Sequence, residues 1–376
     1  MEASAGYDVV VIGGGPAGCA TAMALRRYGI PRILVVESSR YQATRIGESI
    51  PPDTRILLEQ LGIWSDFLKE QHDACLGSCA SWGDDALGYN DFLFNPHGQG
   101  WHLDRARFDL FLARKTVESG AEVSTGTRFA NSSRVADRGF HLRLTEGERQ
   151  TRTVHARFVV DATGMQARFA RSLGAKRVFL DRLICVAGYF QLPDSSQFSR
   201  LTMLEAVEYG WWYAARLPNG RLTAAVASDA EFIRALALNK KDSWLAWLSE
   251  TRHISRKLAD CPFIEGSLRV CTAPSFLLEK ATGNCWLAVG DAASAYDPIS
   301  SQGIYKALSD GLQAAAVIAS CLQGQTEKLR DYEASLGSRF NAYLANRNYF
   351  YGMERRWPGA PFWSRRVERN AVIKQR

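Results

Sequence analysis

No stretch of the chain reaches the ~18 consecutive apolar residues of a membrane-spanning helix, so a span is not expected. A charged segment followed by an apolar one is also missing at the N-terminus. Tyr7-Asp8-Val9-Val10-Val11-Ile12 reads as a strand almost at once, which predicts a cytoplasmic protein. Cysteines are scattered at 19, 75, 79, 185, 261, 271, 285 and 321, and no pair of C-x-x-C motifs or accompanying histidine cluster argues for zinc. Only Cys75 and Cys79 lie close, which leaves a redox pair or two reduced packing residues as readings. Histidines 72, 97, 102, 141, 155 and 253 have no metal-ligand spacing, so no metal is expected. A basic stripe or nucleic-acid signature is absent from the body of the chain, and no nucleic-acid partner is expected.

What is present is an ordinary globular balance: 376 residues, 46% hydrophobic and 23% charged. That length allows a sizeable core and two domains that need not be contiguous. The formal charge of +7 is uneven, because Glu354 to Arg376 carries seven Lys/Arg against two acidic residues. Trp357, Phe362 and Trp363 lie in the same stretch. Such a tail either packs its aromatics onto the body or meets an acidic protein partner.

Gly13-Gly14-Gly15-Pro16-Ala17-Gly18 is a G-x-G-x-x-G turn between an apolar strand and Ala-rich helical residues. Pro16 suits a first helical turn. Glycines there allow a tight turn and let a pyrophosphate approach the helix N-terminus. A second strand, Arg32 to Val36, ends at Glu37, whose carboxylate can accept hydrogen bonds from a ribose 2′-OH. Downstream, Phe158 to Gly164 gives an apolar strand and a small-residue turn, Asp161-Ala162-Thr163-Gly164. Cys285 to Ala293 gives another strand that ends in Gly290-Asp291, and Asp297 to Gly303 opens a helix to about Leu322.

The order of these motifs resembles the FAD-dependent monooxygenase and flavin-halogenase superfamily over residues 7 to about 345. The resemblance implies FAD, with O2 and NAD(P)H or another reductant, and no separate nucleotide motif for the reductant. It implies that Asp291 bonds the ribityl or pyrophosphate region and that the 298–303 loop faces the flavin pyrimidine edge. Arg105, in Trp101 to Asp109, resembles a cofactor-contacting arginine, with a simple Arg105–Asp109 helix pair as the alternative. Arg45-Ile46-Gly47-Glu48-Ser49 resembles a strap beside the isoalloxazine, with Glu48 as a surface carboxylate the alternative. Cofactor candidates are therefore Gly13, Gly15, Pro16, Ala17, Gly18, Glu37, Arg45, Ser49, Arg105, Asp161, Gly164, Gly290, Asp291, Gln302 and Gly303. Glu48, Pro298, Gly303 and Trp211 are the catalytic candidates.

Between the 161–164 and 290–291 motifs, Val186 to Leu192, Leu201 to Val207, Gly210 to Leu217 and Arg221 to Ala227 read as strands separated by turns such as Pro193-Asp194 and Pro218-Asn219-Gly220. An antiparallel sheet over the flavin is expected. Trp211 and Tyr213 share one face of their strand and Trp212 takes the other. Trp82 and the 89–100 loop complete a substrate cavity in the resembled family. The expected fold class is α/β: a Rossmann-like FAD-binding domain from 1–75, 101–180 and 270–345, a discontinuous antiparallel-sheet (α+β) substrate domain from 76–100 and 181–269, and a helical basic tail at 346–376.

The halogenase branch carries a W-x-W-x-I-P element and a lysine after the strap. Here Tyr213-Ala214-Ala215-Arg216-Leu217-Pro218 is the nearest match, and residues 70 to 114 hold no lysine, which disfavours halogenation. Trp82-Gly83-Asp84-Asp85, Trp101 to Asp109, Gly210 to Arg221 and Arg356 to Arg366 resemble instead the LodB/GoxB type, flavoproteins that mature the tryptophylquinone of a partner amino-acid oxidase. That resemblance implies a protein substrate, a tryptophan side chain in an oxidase precursor. A monooxygenase of a small aromatic metabolite and a non-catalytic FAD-binding partner of an oxidase stay open as alternatives.

Overall fold

Residues 6–42, 45–147, 150–193 and 198–366 are described by the computed structural model, so Asp194 and the tail beyond Arg366 lie outside the described residues. Val9 to Ile12 and Ile33 to Val36 are apolar on consecutive positions, the pattern of strands covered on both faces. They form the centre of a parallel sheet ordered Trp286–Ala288, Gln150–Asp161, Gly6–Ile12, Ile33–Glu37, Glu122–Thr125. An antiparallel pair, Thr127–Arg134 and Phe140–Glu146, extends from the long strand Gln150–Asp161.

Four helices frame the nucleotide turn and its surroundings: α1 (Pro16–Arg27), α2 (Arg105–Glu118), α3 (Gly303–Leu322) and α4 (Lys328–Met353). Small residues let α1 and α3 press together. A Cβ placed on Gly311 would lie 2.7 Å from the Ala17 carbonyl oxygen and 2.8 Å from Ala20 Cβ. Gly290, just past the strand Trp286–Ala288, also lies against Ala17, where an added Cβ would come within 2.8 Å, so this turn and the helix that begins at Gly303 are both fixed against the start of α1.

A second sheet of seven strands runs in the order Arg269–Thr272, Leu183–Gln191, Arg221–Asp229, Gly210–Leu217, Leu201–Val207, Gly77–Ser81, Leu87–Asp91. All its pairings are antiparallel except that of Leu201–Val207 with Gly77–Ser81. Strand Arg269–Thr272 lies across the boundary expected at 270 and pairs within this sheet. The strand period separates the three adjacent aromatics as expected. Trp212 enters a core with Trp244, their rings 5.2 Å apart, and Trp211 faces the opposite way.

The C-terminal segment covers that opposite face. α4 continues through the expected 345/346 boundary to Met353, and a helical turn follows at 361–366. Phe362 and Trp363 are fully buried against Leu183, Ala206, Trp211 and Ala227. Each such aromatic contributes about 1.5–3 kcal/mol of burial. Trp363 Nε1 donates to the Val207 carbonyl (3.0 Å), and Arg366 bonds Asp229 (2.8 Å). The aromatics therefore pack on the body.

Candidate functional site

Each glycine of the first turn has its own reason. Gly13 adopts φ +111°, and a Cβ there would stand 2.1 Å from the Ala162 carbonyl oxygen. A Cβ on Gly18 would stand 1.9 Å from the Gly13 carbonyl oxygen, so α1 can press on its strand only without a side chain. At Gly15 a Cβ would meet nothing within 4 Å. This open position caps α1, with Pro16 at the first helical position and unpaired first-turn N–H groups pointing outward. It is a place for an anion.

Glu37 is buried beside the turn. Its carboxylate accepts from the backbone N–H groups of Gly14 and Ser39, both at 2.8 Å, and keeps further lone pairs for a ribose hydroxyl. Tyr41 Oη donates to the Gly14 carbonyl (2.9 Å) and braces the turn from the far side. Sequence reasoning passed over Tyr41, which has no motif of its own.

Arg105, at the start of α2, makes the helix pair that was the alternative for it and also grips the strap. Its Nη2 pairs with Asp109 (3.3 Å), and its Nη1 donates to the carbonyls of Ile46 and Gly47, each at 3.0 Å. Its Nε is buried and has no partner among the described residues. Arg45 reaches the same Asp109 at 3.0 Å. These arginines hold the strap down onto α2.

Glu48 is 3% exposed and is no surface carboxylate. Burial pushes its carboxyl upward, opposed by the Gly47 N–H and the Arg105 charge. Tyr189 Oη donates to it at 3.4 Å. Next to it, Ser49 Oγ shares a hydrogen bond with Tyr213 Oη (2.8 Å) and lies 3.4 Å from Thr202 Oγ1, which His102 Nε2 contacts at 2.9 Å. The strap is thus joined to the seven-stranded sheet by a buried line of hydroxyls.

Gly290 and Asp291 turn over the N-terminal part of α3. The Asp291 carboxyl has no hydrogen bond among the described residues. Burial raises its proton affinity, Lys306 opposes this, Asp310 adds to it and Arg105 opposes it. Beneath the turn is a network that the sequence reading missed. Lys306 Nζ donates to the Gly290 carbonyl (2.9 Å) and to Asp310 (2.7 Å), and Asp310 also accepts from Arg339 (2.9 Å). The available signal was a Lys and an Asp four residues apart, the two charged residues of a 20-residue helix rich in Ala and Leu.

The 298–303 loop is capped by Asp297, which is fully buried and accepts from Ile299 N (3.1 Å), Tyr351 Oη (2.8 Å) and Arg347 Nε (3.3 Å). Arg347 also holds Asp181 at 2.7 Å. Burial pushes Asp297 upward, and Arg347 beside it opposes this. Pro298 is exposed, Gln302 precedes α3, and a Cβ on Gly303 would meet nothing within 4 Å.

Three expected residues lie elsewhere. Asp161 turns its carboxylate inward to Thr163 N (3.0 Å), Thr163 Oγ1 (2.7 Å) and Ala170 N (2.8 Å), so it builds the turn that lets Gly164 face outward. Trp211 is enclosed under the tail, its Nε1 bonded to Tyr351 Oη at 3.1 Å, because the apolar face it occupies is covered by Phe362 and Trp363. Trp82 stacks edge-on against Trp363 at 5.3 Å, while Leu93 and Phe94 of the following loop are 77% and 93% exposed. Cys75 contacts Thr202 while Cys79 enters the sheet core, and the two are not joined by a disulfide. No group of metal-ligating side chains occurs among the described residues, and no described helix is long and apolar enough to cross a membrane.

The sequence pattern of the FAD binding domain family fits residues 6–343. The chain belongs to that family. As a family member it is an FAD-dependent oxidoreductase. It is 30% identical over 367 residues to LodB of Marinomonas mediterranea, named as an FAD-dependent oxidoreductase, and the match spans 96% of each chain. The structure resembles that of QhpG, a peptidyl tryptophan dihydroxylase described as essential for tryptophylquinone cofactor biogenesis. The TM-score is 0.72 and the identity 27%, over 96% of this chain and 79% of that one. The myxobacterial chondrochloren halogenase CndH has the same fold at 24% identity, with a TM-score of 0.89 over 99% of this chain and 89% of its own.

FAD suits the residues present. The open space at Gly15 fits a pyrophosphate, the buried Glu37 carboxylate beside the turn fits a ribose, and the Asp291 carboxyl, without a hydrogen bond among the described residues, leaves an acceptor for the cofactor.

Proposed function

We propose that this flavoprotein hydroxylates a tryptophan side chain of a partner oxidase precursor during tryptophylquinone maturation. The observation that carries the reading is the 27% identity to a peptidyl tryptophan dihydroxylase along 96% of the chain. The lysine-free stretch from 70 to 114 argues in the same direction, against halogenation.

Bound FAD, once reduced by NAD(P)H or another donor, supplies the electrons and the site at which O2 is activated for transfer to an electron-rich indole. The chain's own residues bind and orient. The α1 N-terminus and Gly15 would hold the pyrophosphate, and Glu37 the ribose. Arg105, through its bonds to the Ile46 and Gly47 carbonyls, would keep the strap in place beside the bound flavin. The Asp297-capped 298–303 loop and the α3 N-terminus would offer backbone N–H groups to the flavin edge, where a helix N-terminus stabilises negative charge by about 0.3–1 kcal/mol. Glu48, driven toward its neutral form by burial, can hold or release a proton at the oxygen that Tyr189 contacts.

The test is a reaction of the FAD-loaded enzyme, a reductant and O2 with the precursor polypeptide, read by tandem mass spectrometry. A gain of one or two oxygen atoms on a tryptophan is expected. Efficient turnover of free tryptophan with none on the polypeptide would refute the reading, and halogen incorporation in added bromide would favour the halogenase branch instead.

A further inference from the structure

Strand Leu87–Asp91 is the last strand of the seven-stranded sheet, and no described strand pairs with its outer edge. Its inner edge pairs with Gly77–Ser81, and the Phe92 N–H donates to the Leu76 carbonyl at 2.9 Å. Alternation along the ladder then turns the backbone groups of Leu87, Tyr89 and Asp91 outward. Such an edge is usually blunted by lysine, proline or a bulge. Here Leu87-Gly88-Tyr89-Asn90-Asp91 has neither residue, and Tyr89, Leu93 and Phe94 expose 69%, 77% and 93% of their surface beside it.

The charge is as distinctive as the shape. Residues 70 to 104 contain no Lys or Arg in a chain of net charge +7. Arginines from elsewhere neutralise Glu70, Asp73 and Asp85. Asp84, before the edge strand, and Asp91, its last residue, have no cation partner among the described residues, each using one oxygen to cap a backbone N–H. Phe92 packs beside the strap: a Cβ on Gly100 would lie 3.3 Å from its ring and 2.6 Å from the Ile50 carbonyl oxygen. The edge strand therefore runs into a segment that packs next to Ile50, the residue after the strap.

We propose that this edge captures an extended segment of the protein substrate, which adds a strand to the sheet. Its apolar side chains cover Tyr89, Leu93 and Phe94, and a Lys or Arg meets Asp84 or Asp91. The proposal rests on the protein-substrate reading above. Main-chain hydrogen bonds supply the affinity of strand addition, and side chains supply the selectivity. A second copy of this chain is disfavoured as the occupant, because self-pairing brings two uncompensated acidic edges together.

The experiment uses the full-length FAD-loaded enzyme and the capped peptide Lys-Val-Thr-Val-Trp-Val-Thr-Val-Lys, with a Glu-flanked counterpart. Hydrogen exchange should show protection of the Leu87, Tyr89 and Asp91 amides by the Lys-flanked peptide. Fluorescence anisotropy should show it binding about tenfold tighter than the Glu-flanked one. Asp84→Asn combined with Asp91→Asn keeps the capping oxygens and should erase that preference. Tyr89→Pro removes one outward donor, leaves the inner ladder intact and should abolish protection while FAD content and melting temperature hold. Protection elsewhere, a preference that survives the double Asn variant, or edge protection that rises with protein concentration and no peptide would each overturn the proposal. Capture at the edge of a precursor segment that is never oxidised would instead sink the hydroxylation reading and leave the docking surface standing.

Discussion

Gly15→Val separates a glycine kept for a ligand from one kept for the fold. At Gly15 the backbone is at φ −77°, ψ −174°, an extended conformation that valine adopts readily, and no protein atom lies within 4 Å of the added Cβ. Stability should fall only by the poorer helix cap, about 1 kcal/mol or less. FAD affinity should fall far more. The valine methyl groups enter the space at the α1 N-terminus and break one or two charge-assisted N–H to phosphate bonds, each worth about 1.5–3 kcal/mol. A loss of about 3 kcal/mol corresponds to a roughly 100-fold higher Kd. Flavin-fluorescence titration of the stripped protein measures the affinity, and urea unfolding of the same sample measures the stability. Gly18→Ala is the contrast, because its Cβ strikes the Gly13 carbonyl oxygen at 1.9 Å and should damage the fold itself. A stable Gly15→Val protein with wild-type FAD affinity would remove the pyrophosphate from this turn.

Lys306→Met strands Asp310 with one cation fewer in a buried setting and should cost about 3–5 kcal/mol in urea unfolding. Unchanged stability would mean that the network carries no structural weight. Burial lowers the His102 pKa from 6.5 to about 4, so its contribution is present above pH 6.5 and is lost as pH falls toward 4, about 3 kcal/mol at most. Against His102→Gln, the wild type should lose stability more steeply over that window, and parallel pH profiles would refute the assignment. Glu48 works in the opposite sense. Its raised affinity for a proton means that its contribution is present below pH 4.5 and declines as pH rises, so Glu48→Gln should stabilise the apoprotein increasingly above that value. Trp363→Ala empties a fully buried position and should cost about 3–5 kcal/mol, with new protease cleavage between 354 and 361 as the readout.

The nucleotide turn was legible because its constraints are local. A steric limit on Gly13 or Gly18 is imposed by neighbours a few residues away or by a strand with its own signature. Strand period likewise separated Trp211 from Trp212 without knowledge of what either touches. The partner of Trp211 was not legible, since Tyr351 and Trp363 come from a segment whose basic, aromatic composition fits docking inward or outward equally well. Asp161 lies in a recognised motif, yet its carboxylate turns toward Thr163 and Ala170, which a motif match does not reveal. The Lys306–Asp310–Arg339 network joins two helices, and only the second helix's position discloses why a lysine belongs in an apolar face.

The covering of Trp211 by residues 357–366 also sets an order of events during synthesis. Every strand of the seven-stranded sheet leaves the ribosome before the aromatics that roof one of its faces, and Arg347, which ties Asp297 to Asp181, also emerges after both partners. Until then the sheet shows a contiguous apolar surface and two buried-to-be carboxylates without their cation. Nascent or truncated chains are therefore marked by sticky surface and left open to chaperones and proteases. Closure of the roof and completion of the flavin-side loop become one late step of assembly.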